Sequence, residues 1–87
     1  MSYSVLILAE ARKAIGKLPR PIAVRVDRAI NQLADNPRPH GCTKLVGTAN
    51  GWRIRVSDWR ILYMIEDKRL VVLVVEVGHR REVYRGL

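Results

Sequence analysis

Residues 52–63 read Trp52-Arg53-Ile54-Arg55-Val56-Ser57-Asp58-Trp59-Arg60-Ile61-Leu62-Tyr63. Apolar and cationic residues alternate on both sides of a Ser-Asp pair. Alternation is the period of a strand with one face turned to a core, so Trp52, Ile54 and Val56 belong on one face and Arg53 and Arg55 on the other. Read as a two-residue hairpin loop, Ser57-Asp58 sets the register. It places Arg55 directly opposite Arg60 and Arg53 opposite Leu62. Like charges facing each other across strands destabilise a sheet. A sequence that keeps such a pair has a polyanion to put there.

Working outward from the hairpin gives the remaining elements. Downstream, Glu66-Asp67-Lys68 makes a turn, and Arg69 to Val77 is a β-branched run with little alternation. Such a run predicts a central strand buried on both faces. Upstream, Thr43 to Val46 is a short strand, followed by a turn from Gly47 to Gly51. Residues 2–8 form a first strand. Glu10 to Leu18 predicts a short helix with Ala11, Ala14, Ile15 and Leu18 on one side. A second helix starts near Pro21, a residue suited to a first turn. Its apolar stripe is Ile22, Val26, Ala29, Ile30 and Leu33. The Asn36-Pro37-Arg38-Pro39-His40-Gly41 stretch ends that helix. The expected fold is α+β: an N-terminal strand, a helical hairpin, then a small, mostly antiparallel sheet of four to five strands.

The totals bound the rest. The 87 residues suit one domain, 1–87, with a thin core that covers roughly 60–65% of the unfolded surface. Sixteen Lys and Arg against eight Asp and Glu give a formal charge of +8. Residues 1–50 carry 8 basic and 3 acidic groups, and 51–87 carry 8 and 5, so the excess is spread along the chain and is not a basic tail. That balance points to nucleic acid or an acidic protein as partner. The longest apolar run, Leu70 to Val75, is far too short to span a bilayer, and the N-terminal run lacks a basic leader. No membrane role is expected. The lone Cys42 rules out an intramolecular disulfide and fits a reducing, cytoplasmic setting. Neither a metal nor a cofactor is expected.

The Arg53-Ile54-Arg55 strand, the Asp58-Trp59-Arg60-Ile61-Leu62-Tyr63 strand and the closing Gly78-His79-Arg80-Arg81-Glu82-Val83-Tyr84 segment together resemble the RelE/ParE superfamily of toxins, and the RelE branch most. Pro37, Lys44-Leu45 and Gly47 add to the likeness, which covers almost the whole chain. The resemblance implies a ribosome-dependent endoribonuclease that cuts mRNA in the A site. It also implies a cognate antitoxin, in a hetero-oligomer that can bind operator DNA through the antitoxin. It carries Arg53 and Arg55 onto the family's basic strand pair, Arg60 onto its turn arginine, Arg80 onto the arginine after its glycine, and Tyr84 onto its C-terminal tyrosine. Where some members have a longer C-terminal helix, this chain stops three residues after Tyr84.

Metal-free RNA cleavage has three requirements. The 2′-OH must lose a proton, charge growing on the phosphate must be stabilised, and the departing 5′-oxygen must gain a proton. The product is a 2′,3′-cyclic phosphate. Arginine suits the second task through its planar, bidentate fork, so Arg60 and Arg80 are assigned to the reacting phosphate. Arg53 and Arg55 are assigned to the RNA backbone, with Lys44 and Arg81 as further RNA contacts. Surrounding cations favour phenolate, which makes Tyr84 a candidate base. His79 is a second candidate for acid–base work. Trp52 is expected in the core, and Trp59 is open between core and base stacking. His40 and Cys42 are read as inert. Two rival functions share these residues: a ParE-like gyrase inhibitor, and a non-catalytic RNA-binding or regulatory module.

Overall fold

The computed structural model describes residues 2–79. It contains β1 (Ser4–Ile7), α1 (Ala9–Gly16), α2 (Arg20–Gln32), β2 (Thr43–Lys44), β3 (Gly51–Val56), β4 (Trp59–Glu66), one turn of 3-10 helix (Asp67–Arg69) and β5 (Val71–His79). The five strands form one sheet in the order β1-β5-β4-β3-β2. β1 runs parallel to β5, and every other neighbour is antiparallel. The α+β architecture expected from the sequence is therefore the one observed.

Both helices pack on one face of the sheet, α1 against β5 and α2 against β3. Pro19 caps α2 and Pro21 sits in its first turn, where a missing N–H costs nothing. Val26, Ile30 and Leu33 then fall on one stripe and are fully buried. They meet Ile54, Ile61, Tyr63, Ile65, Val72, Val74 and Val77 from the strands, and Ala11 and Leu18 from the α1 side. At about 25 cal/mol per Å² of apolar surface, this layer is the main source of stability.

The hairpin registers as the alternation requires. Arg55 pairs with Arg60, Arg53 with Leu62 and Ile54 with Ile61. Ser57 has a φ of 56°, the left-handed value that the first residue of a tight hairpin loop can require.

Two expectations need correction. The strand expected from Thr43 to Val46 is only Thr43–Lys44. Leu45 turns away to accept a 2.8 Å bond from the Thr48 hydroxyl, and Gly47 takes a φ of 81° to close the turn. β5 is an inner strand, but β4 is the middle one, and β5 is not buried on both faces. Val72 and Val74 are fully buried while Leu73 and Val75 are half-exposed. The missing alternation has a different cause. Leu62 pairs with Glu76 but Tyr63 pairs with Val74, so Val75 is the extra residue of a β-bulge. The bulge shifts the phase, and Val77 joins Val72 and Val74 on the core face. Because the half-exposed positions Val71, Leu73 and Val75 are apolar as well, the bulged strand reads in sequence as an uninterrupted apolar run.

Candidate nucleic-acid interface

Cross-strand partners share a face of the sheet, so the register builds the site row by row. One row on the face away from the helices is Arg53, Leu62 and Glu76. The next is Arg55, Arg60 and Gly78. Three arginines thus stand together on β3 and β4, with the backbone of Gly78 beside Arg60. Arg60 is 7% exposed, Arg53 is half-buried and Arg55 is exposed. A guanidinium held in so sheltered a place is pre-positioned and its field is weakly screened, which is what an oxyanion stabiliser requires.

Among the described residues β2 pairs only with Trp52 and Arg53, which leaves the outer edge of β3 from Ile54 onward without a strand partner there. A cleft of about 430 Å³ opens there. Arg53, Arg55 and Arg60 form one wall. Gln32 of α2 and the loop through Pro39, His40 and Gly41 form the other. A shallower cleft of about 190 Å³ adjoins it across Ala29, Gln32 and Arg55, and brings in Arg25 and Arg28. Positions 25, 28, 29 and 32 lie on one helical stripe, next to the core stripe of α2. The basic surface therefore runs from the hairpin onto the helix.

The sequence-assigned residues sort into three groups. Arg53, Arg55 and Arg60 are brought together. Lys44 is not among them: it pairs with Trp52, on the other face from Arg53, and its Nζ donates to the Thr48 carbonyl. His79 is also separated from them. It pairs with Trp59, and the two rings meet edge to face at 5.5 Å and 87°, on the side opposite Arg60. Trp59 is thus a core-side residue. Trp52 also packs on the core, and the Arg38 guanidinium lies 5.2 Å from its ring centre. Arg80, Arg81 and Tyr84 lie outside the described residues.

The loop that carries His40 is anchored at the two residues Pro37 and Arg38 that lead into it. The Tyr63 hydroxyl, on a fully buried ring, donates to the Pro37 carbonyl at 2.7 Å. Burial is the main reason its phenol is held above the usual tyrosine range, with Cys42 adding to the effect. Arg38 donates to both carboxylate oxygens of Asp67, at 3.1 and 2.8 Å, and the Tyr3 hydroxyl donates to the same group at 2.7 Å. These hydrogen bonds, Arg38's first and Tyr3's next, hold the Asp67 carboxyl down at about 2. No three metal-ligating side chains gather among the described residues. No helix there is long and apolar enough to cross a membrane.

Sequence reading did not place Arg25, Arg28 or Gln32 beside the hairpin, and it read His40, which lines the cleft, as inert. The helical stripe was visible, but its placement beside the hairpin is a tertiary fact.

Comparison with known proteins bears on the same surface. The family model described as the ParE toxin of type II toxin–antitoxin system, parDE, matches residues 5–84. Toxin RelG of Mycobacterium tuberculosis is 33% identical over 86 residues, which cover 98% of this chain and 99% of RelG. Among solved structures, the archaeal RelE–RelB complex of Pyrococcus horikoshii superposes with a TM-score of 0.82 at 28% identity, covering 92% of this chain and 97% of that one. The toxin–antitoxin complex RelBE2 of M. tuberculosis gives 0.78 at 29% identity, covering 92% and 100%. With residues 5–84, which hold both helices and the arginine hairpin, inside the family match, the chain belongs to the RelE/ParE family of type II toxin–antitoxin toxins.

Proposed function

We propose that this toxin is a ribosome-dependent endoribonuclease that cleaves mRNA in the ribosomal A site without a metal and so stops translation. The observation that carries the reading is the opposed Arg55–Arg60 pair, with Arg53 beside it, on the wall of an open cleft. Arg60 is the sheltered cation that meets the charge developing on the phosphate, while Arg53 and Arg55 hold the backbone. The 2′-oxygen attacks phosphorus, the bond to the 5′-oxygen breaks, and the products are a 2′,3′-cyclic phosphate and a 5′-hydroxyl. Arg80 and Tyr84 are assigned to phosphate stabilisation and proton abstraction, with Arg81 a further RNA contact. The RelBE2 and RelE–RelB structures that resemble this one are toxin–antitoxin complexes, which supports an antitoxin partner whose acidic or amphipathic chain covers the basic face.

The test is a primer-extension map of mRNA 5′ ends in a cell-free translation reaction, using the protein and its Arg60→Ala/Tyr84→Ala variant. Ribosome-dependent cuts at A-site codons that vanish in the variant are expected. Unchanged cuts in the variant would remove both residues from the site. A second reading follows from the family model itself, which is described by its ParE members. In that reading the protein inhibits DNA gyrase and the arginines are surface. Supercoiling lost in the presence of the protein, with mRNA left intact, would establish it.

A further inference from the structure

The 430 Å³ cleft has two unlike walls. One is cationic, formed by Arg53, Arg55 and Arg60. The other offers neutral and aromatic groups: the Gln32 amide, which donates and accepts, and the His40 ring. Its size lies within the roughly 300–1,000 Å³ of small-molecule sites. Phosphate alone needs only the first wall. The buried Tyr63 ring anchors Pro37, three residues ahead of His40, and Arg38 pairs with Asp67, so the backbone leading into the second wall is held before anything binds. The Gln32 and His40 side chains are exposed, so packing does not account for their position.

We propose that this cleft is a nucleoside subsite in which a phosphate lies on the arginines and its base lies against Gln32 and His40. The base stacks on the His40 ring and hydrogen-bonds the Gln32 amide, the mode by which unpaired RNA bases are recognised. The phosphate contacts position the RNA, and the base contacts make the site sensitive to the identity of one nucleotide. The proposal deepens the endoribonuclease reading and rests on it for its substrate. Its chemistry can nevertheless be tested without cleavage.

The experiment titrates the full-length protein with each of the four nucleoside 3′-monophosphates, and separately with inorganic phosphate, following backbone amide resonances. Nucleotides are expected to move amides at residues 29–32, 40–43 and 53–55, and phosphate only those of the arginine strand. At least one nucleotide should bind about tenfold more tightly than phosphate. A Gln32→Ala/His40→Ala variant should lose about five- to tenfold in nucleotide affinity while its phosphate affinity holds, because both side chains are exposed and the anion wall is untouched. Equal affinity for nucleotides and phosphate, or a variant that binds nucleotides like the wild type, would overturn the subsite. Wild-type protein that fails to cut ribosome-bound mRNA would overturn the endoribonuclease reading instead, and leave the titration to decide the subsite. Where cutting occurs, the variant should show a changed base preference at one position of the cleaved codon.

Discussion

Arg60 joins two properties that seldom coincide, a formal charge and near-complete burial. Its replacement is expected to separate charge from geometry. Arg60→Ala should lower cleavage about 10²–10³-fold, the scale of losing one transition-state donor, and Arg60→Lys should recover little because ammonium lacks the planar fork. Single-turnover rates on programmed ribosomes check this. Ser57 makes an opposite prediction. A serine at φ 56° occupies a region that glycine enters without strain. Ser57→Gly should raise stability by about 0.5–1 kcal/mol in denaturant unfolding, the relief being partly offset by glycine's greater freedom when unfolded. Tyr63→Phe should cost about 1–3 kcal/mol, since it leaves the Pro37 carbonyl without its donor. With the phenol's titration raised in the folded protein, the stability it contributes is present below about pH 10 and is lost as pH rises further. The phenylalanine variant should not share that alkaline loss.

At the scale of elements, the hairpin was legible and the strand after it was not. A two-residue loop between alternating runs permits one register, and a slip by one residue would bury the arginines. Hence Arg53, Arg55 and Arg60 could be gathered from sequence alone. The run from Arg69 to Val77 was misread because the bulge at Val75 breaks the period and the half-exposed positions Leu73 and Val75 are themselves apolar. Deleting Val75 tests this account. The deletion leaves Val72, Val74 and Val77 in strict alternation with unbroken pairing to β4, so all three stay on the core face. Cooperative unfolding in denaturant should therefore survive it, and its loss would overturn this account. The α2 stripe of Arg25, Arg28 and Gln32 could be seen as polar but not as part of a site. Helical periodicity reports which residues share a face; it does not report what that face meets.

Over the whole molecule, the charge excess becomes a surface that links the hairpin to α2. If RNA follows it, Arg25→Gln and Arg28→Gln should each weaken binding of a single-stranded RNA. Each should also reduce the slope of log K against log salt by about 0.7. Filter binding across a salt series measures both. The Tyr3–Asp67–Arg38 cluster joins the N-terminal segment, the β4–β5 turn and the loop after α2. The folded Asp67 carboxyl titrates at about 2, below its ordinary value of 3.8, so its stabilisation is complete above about pH 4 and fades as pH falls towards 2. Asp67→Asn should flatten the acid limb of a melting-temperature profile. Because the pair is exposed, the effect at neutral pH should be small.

The parallel pairing of β1 with β5 also has a bearing on biosynthesis. Ser4 lies beside Val71, and Ile7 beside Val74. Among the described strands, the first to be synthesised is therefore completed by the fifth. Contacts so distant in sequence form late. A nascent chain that has not yet reached β5 lacks the strand on which β1 pairs. The topology holds back the completed sheet, and with it the activity proposed above, until β5 has been synthesised.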